Sequence, residues 1–186
     1  MSDLHCLRLK KLSPSAVAKA LARAAEFRAT QESREAASIY RDILEIDPGN
    51  QEALVGLILS LTDQFAAYGP DISAPLHVLA RVTDEYTRHY HLGLIYERWA
   101  KAHLFRGIPD PSVAQYFWRA MASFELAEAL RPPDNDDAIL RWNSCLRHIR
   151  GDLVGVPLDA EDTSSRGIDA DFVSSVESGW RADLNP

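Results

Sequence analysis

The sequence predicts an all-α protein: an α-solenoid of three stacked helical hairpins, followed by a capping helix and an acidic tail. Apolar residues recur at helical spacing in segment after segment, and no segment has the alternation and turn spacing of a sheet. Two segments also share one signature. Ala36, Tyr40, Ile43 and Pro48 stand at intervals of four, three and five, and so do Ala120, Phe124, Ala127 and Pro132. A small residue, an aromatic, a further fitting apolar residue and a closing proline describe the second helix of a helical hairpin that stacks on its neighbours.

Residues 1–12 read as an arm. Ser13-Pro14 offers a cap followed by proline in the first turn, and Ala16, Val17, Ala20, Leu21, Ala24 and Phe27 then follow at helical spacing. A second helix over about 33–46 ends at Asp47-Pro48-Gly49-Asn50, because the residue before proline avoids helical geometry. A third starts near Gln51 and is apolar nearly all round, as suits a helix with neighbours on several sides. Tyr68-Gly69-Pro70-Asp71 breaks it, and a shorter helix begins around Pro75 and uses Leu76, Leu79 and Val82. Thr83 is the expected cap of a fifth helix from Asp84 to Phe105, with Gly107 beyond its end. Asp110-Pro111 opens a sixth, which Pro132-Pro133 closes. Asp134 to Asp137 favour the start of a seventh through the helix dipole. That helix shows Ile139, Trp142, Leu146 and Ile149 on one face, carries Arg141, Arg147 and Arg150 elsewhere, and stops at Gly151.

The domain reading is an arm (1–12), a helical-repeat domain with its capping helix (13–151) and an acidic, mobile tail (152–186). A chain of 186 residues buries about 70% of the surface its unfolded form exposes. Hydrophobic residues at 46% and charged residues at 25% describe an ordinary globule. The net charge of −7 is concentrated in residues 151–186, which hold eight acids and two bases, while the first thirty residues carry six Lys or Arg against two acids. This balance argues against nucleic acid as a partner, which requires clustered positive charge. No apolar run is long enough to span a bilayer, so no membrane association is expected. The start lacks the pattern of a secretory signal. Cys6 and Cys145 do not make a disulfide framework, and together these features point to a reducing, cytoplasmic compartment.

With these segments in place, the chain resembles the tetratricopeptide repeat family, whose unit has W-x2-L-G-x2-Y in its first helix and A-x3-F with a closing proline in its second. Leu92-Gly93-Leu94-Ile95-Tyr96 reproduces L-G-x2-Y, with His89 where tryptophan is usual, and Tyr40 to Asn50 is typical of the second helix. The implied units begin at Val17, Gln51 and Tyr86. About fifteen extra residues lie across Trp99 to Val113 of the third, where the long fifth helix and the Pro109-Asp110-Pro111 turn would absorb them. The resemblance covers about residues 14–150 and is weak in the second helix of unit two, where Pro70 falls on the expected small residue. A non-repeat helical insertion is the alternative there.

The resemblance implies a protein-binding adaptor whose first helices line a concave groove for a peptide or helical segment of another protein. By register, the groove residues are Leu21, Ala25 and Arg28, then Val55, Leu59 and Asp63, then Tyr90, Leu94, Glu97 and Arg98. The bland alternatives are that Val55 and Leu59 are core and that Tyr90, Glu97 and Arg98 form a solvated face. The Lys and Asn that grip a partner's terminal carboxylate in some family members are missing from Leu21, Ala22, Ala25, Val55, Gly56 and Leu59. A dedicated chaperone shielding an apolar client is the second reading, and self-association through the ends of the stack, giving a homo-oligomer, is compatible with either. Phe172, Val173, Val176 and Trp180 in the tail would occupy the groove as an internal competitor, or belong to an ordinary terminus.

No catalytic residue, metal or cofactor is expected. Cys145 with His148, and His89 with His91, do not converge into the four or so ligands that zinc requires, and no phosphate-cradling glycine loop or nucleophile motif is present. An enzyme built on Tyr90, His91, Glu97 and Arg98 is the remaining alternative.

Overall fold

The computed structural model describes residues 8–68, 71–106 and 112–152. Among them the chain is all-α, without a strand. It divides between Thr83 and Asp84 into two compact units. The tail beyond Asp152, Pro70, Gly107 and the Pro109-Asp110-Pro111 turn lie outside the described residues, as does most of the N-terminal arm.

The first unit opens with a 3-10 turn, Pro14–Ala16, leading into α1 (Val17–Ala29). Ser13 does not cap it through its side chain; its carbonyl accepts from the Ala16 N–H instead. Gln31 has φ 68°, and this left-handed residue lets the Glu32 N–H reach the Phe27 carbonyl at 2.8 Å and turn the chain into α2 (Ser33–Ile46). At the far end the Asn50 side chain accepts from the Ala53 N–H at 2.9 Å, a local cap that starts α3 (Gln51–Asp63) where the sequence places it. The third helix does not run on to Tyr68 as the sequence suggests: α3 ends at Asp63, and a separate one-turn helix α4 (Phe65–Tyr68) follows, then α5 (Ser73–Leu79). α5 packs on α3 through Pro75 and Leu79, and the segment after it is tied back to the α2–α3 turn: Gln51 Oε1 accepts from the Thr83 N–H at 2.9 Å.

α1 packs on α2, α2 on α3, and α3 touches α1 again. Ala36, Ala37, Tyr40 and Ile43 of α2 and Ala53, Leu54, Leu57 and Ile58 of α3 are buried where α1, α2 and α3 pack together. How closely these two helices approach depends on Gly56. A Cβ built there would lie 2.2 Å from Tyr40 Cζ, so the phenol ring occupies the space a side chain would need.

The second unit repeats this order of packing. α6 (Glu85–Phe105) packs on α7 (Ser112–Leu130), α7 on α8 (Asp137–Asp152), and α8 touches α6 again. The cap of α6 is Asp84 and not Thr83, its carboxylate accepting from the Thr87 N–H at 2.7 Å. Gly151 does not stop α8, which runs through it to Asp152. A Cβ on Gly93 would lie 2.6 Å from Phe124 Cε1. Here the ring of the signature meets the preceding helix, whereas Tyr40 meets the following one.

α6 has 21 residues and α7 19, against 13 in α1 and 14 in α2. The extra length of this segment is therefore mostly helical. It is held by an aromatic stack in which Trp99 lies 3.8 Å from both His103 and Tyr116 between ring centroids, with the Arg119 guanidinium over the Tyr116 ring.

Gly56→Ala and Gly93→Ala are expected to lower stability. Forcing a methyl into a filled core costs about 1–3 kcal/mol, which outweighs the gain of up to about 1 kcal/mol from replacing helical glycine. Gly151→Ala has nothing within 4 Å to meet and is expected to be neutral or stabilising. Urea unfolding midpoints of the three variants check both statements.

Candidate functional site

Leu21, Ala25 and Arg28 recur at four and three residues along α1, and Val55, Leu59 and Asp63 at every fourth residue along α3, so each set makes one stripe on its helix. The stripes meet at their C-terminal ends, where Arg28 Nε donates to Asp63 Oδ2 at 3.0 Å. Leu21, Val55 and Leu59 are half-buried and Ala25 is exposed, which gives a narrow apolar strip ending in an ion pair.

The third set behaves differently. Residues 91–97 of α6 are all buried, so this part of the helix is enclosed on every side. Leu94 and Glu97 lie inside, Glu97 with 0% exposure, and neither contributes surface. Tyr90 and Arg98 are half-buried at the edge. The cause is α8. It lays Ala138, Cys145 and Ile149 into the unit and brings Arg141 over α6.

A carboxylate without water must be paired and hydrogen-bonded. Lys101, one turn along α6, donates to Glu97 Oε1, and Arg141 Nη1 of α8 donates to Glu97 Oε2 at 3.5 Å. Lys101 Nζ also reaches Ser144 Oγ at 3.4 Å, and Arg141 is hydrogen-bonded to Tyr90. Burial opposes the charge of Arg141, but Glu97 and Tyr90 outweigh it and hold the guanidinium above its ordinary value. The neighbouring Cys145 thiol is pushed up to about 12, by burial first and by Glu97 second, so it is neutral and unreactive. Burial lowers the pKa of His91, opposed by a hydrogen bond to the Thr87 carbonyl, and Arg98 lowers it further.

Lys101 and Arg141 were not among the residues the sequence singled out for this site. The first was open to detection, since Glu97 and Lys101 stand at the i, i+4 spacing of a helical ion pair. The second was not, since Arg141 is 44 residues away and meets Glu97 only through the tertiary fold.

Among the described residues, no group of three or more His, Cys, Asp or Glu side chains is placed to hold a metal ion. No helix among them is long and apolar enough to cross a membrane. No family model, curated protein or solved structure matches the chain.

Arg141→Met leaves Glu97 paired with Lys101 alone and, because Arg141 is 38% exposed and 3.5 Å from the carboxylate, is expected to cost about 1 kcal/mol. Combining it with Glu97→Met removes the buried charge and recovers part of that loss, which a double-mutant cycle in urea measures. For His91 the folded pKa lies below the unfolded value near 6.5, so the unfolded state binds more protons. Its contribution is present above that value and is lost as pH falls toward the folded pKa, by up to about 1.4 kcal/mol per pH unit. His91→Asn is expected to flatten the pH dependence of the urea midpoint between about pH 6.5 and 5.

Proposed function

We propose that the chain is a helical-repeat adaptor of the tetratricopeptide type, in which the α1 and α3 stripes receive a short extended or helical segment of another protein. The observation that carries this reading is the Arg28–Asp63 pair, which sets two of the sequence-derived groove residues side by side at the end of an apolar strip. The order of packing supports it too: in each unit a helix, its return helix and the next helix are mutually in contact, as a stacked hairpin requires. The strip offers Leu21, Val55 and Leu59 for burial and the ion pair for orientation. The solenoid arrangement and a cytoplasmic setting belong to the same reading. A catalytic reading centred on Tyr90, His91, Glu97 and Arg98 has less support, because Glu97 has no exposed surface and both of its oxygens are engaged.

Affinity capture from the source cells tests the adaptor reading. The wild-type chain is expected to retain one protein in stoichiometric amount through a short segment. Ala25→Glu with Arg28→Ala is expected to weaken that binding by about tenfold or more, a loss of about 1.4 kcal/mol, with an unchanged circular dichroism spectrum. Equal retention by both chains, or none by the wild type, would overturn it.

A further inference from the structure

Glu97 consumes only part of the charge gathered around it. Lys101 and Arg141 bring two positive charges to one carboxylate, and their side chains remain 33% and 38% exposed. Among the described residues, Lys101 is engaged by Glu97 and Ser144, and Arg141 by Glu97 and Tyr90, so each keeps N–H donors for solvent. The two cations are also fixed in place. Most exposed cations lose side-chain freedom when they bind an anion, but these are already held by a carboxylate that has no other place to go. The result is a preorganised ledge with one surplus positive charge at the seam of α6 and α8.

The anion that fits it is part of the same chain. Residues 153–186 carry seven acidic and two basic side chains, a net charge of −5. Three of the acids, Asp159, Glu161 and Asp162, are clustered close to the end of α8. Arg141 stands eleven residues before Asp152, about 16 Å back along the helix at 1.5 Å per residue. Asp159 follows Asp152 by seven residues, enough extended chain to cover about 23 Å. The segment 159–162 is therefore the first acidic cluster able to return to the ledge. A short tether also supplies it at millimolar effective concentration, at which weak ion pairs suffice for occupancy. Arg147 and Arg150 lie nearer to the tail but are exposed, and no buried partner among the described residues holds them, so they offer less preorganisation.

We propose that Lys101 and Arg141 form an anion-binding ledge occupied by the chain's own acidic segment 159–162. This reading does not rest on the α1 and α3 stripes.

Carbodiimide coupling of the full chain, with peptide mapping of the monomer, tests it. The chain has only four lysines, Lys10, Lys11, Lys19 and Lys101, so the other three serve as internal references, and enclosed Glu97 is beyond the reagent's reach. Amide links from Lys101 to Asp159, Glu161 or Asp162 are expected, and are expected to fall away in high salt. In the Asp159→Asn, Glu161→Gln, Asp162→Asn chain, acylation of Lys101 relative to the other lysines is expected to rise about threefold, in keeping with a partly exposed ion pair. An unchanged circular dichroism spectrum of the substituted chain checks that the helices are intact. Links from the segment to Lys10, Lys11 or Lys19, links confined to a cross-linked dimer, no links, or unchanged acylation of Lys101 would each overturn the proposal.

Discussion

The structure depends on two aromatic rings lying where two side chains are missing. Tyr40 sits over Gly56 and Phe124 over Gly93, each so close that a single methyl would collide with the ring. The spacing of the signature follows from this. Ala36 and Ala120 stand one turn before their rings on the same helix face, and both are fully buried. A larger residue there would hold the neighbouring helix away and lift the ring out of its notch. The contact is reached in different ways, however: Tyr40 packs forward on the next helix in the chain and Phe124 backward on the previous one. One sequence pattern thus serves two neighbours, because a helix between two others can use its aromatic on either side.

A second feature common to both units is an ion pair linking the helices that flank the return helix. In the first unit it joins Arg28 of α1 to Asp63 of α3, with both side chains about one-quarter exposed. In the second it joins Glu97 of α6 to Arg141 of α8, with the signs reversed and the carboxylate fully enclosed. Burial changes what the pair contributes. The half-solvated pair orients two helices and adds little stability. The enclosed carboxylate must keep a cation beside it, and it draws one from its own helix, Lys101, and one from α8, Arg141.

Helix limits set by local chemistry were legible in the sequence. Residues 33–46 and the start at Gln51 follow from Pro48, Gly49 and the turn they make with Asn50, all of which act within a few residues. The cap assigned to Thr83 falls on its neighbour Asp84, a choice between adjacent polar residues that only geometry decides. The α1 and α3 stripes were readable because helical periodicity fixes which residues share a face, and Arg28 and Asp63 do meet. Leu94 and Glu97 were not readable as buried residues. Their enclosure comes from α8, whose approach depends on contacts between distant parts of the chain, and a lone acidic residue in an apolar stretch reads equally well as surface.

The lengthened α6–α7 hairpin shows how a protein of this kind can acquire new features cheaply. Because Trp99, His103 and Tyr116 clasp the additional turns to each other, the overhang maintains itself and asks nothing of the interfaces nearer the caps. Phe105, 82% exposed at its edge, illustrates the tolerance of that region. Variation in the chemistry of these outer turns of α6 and α7 is free to drift without unsettling the scaffold, which makes them a natural site of innovation.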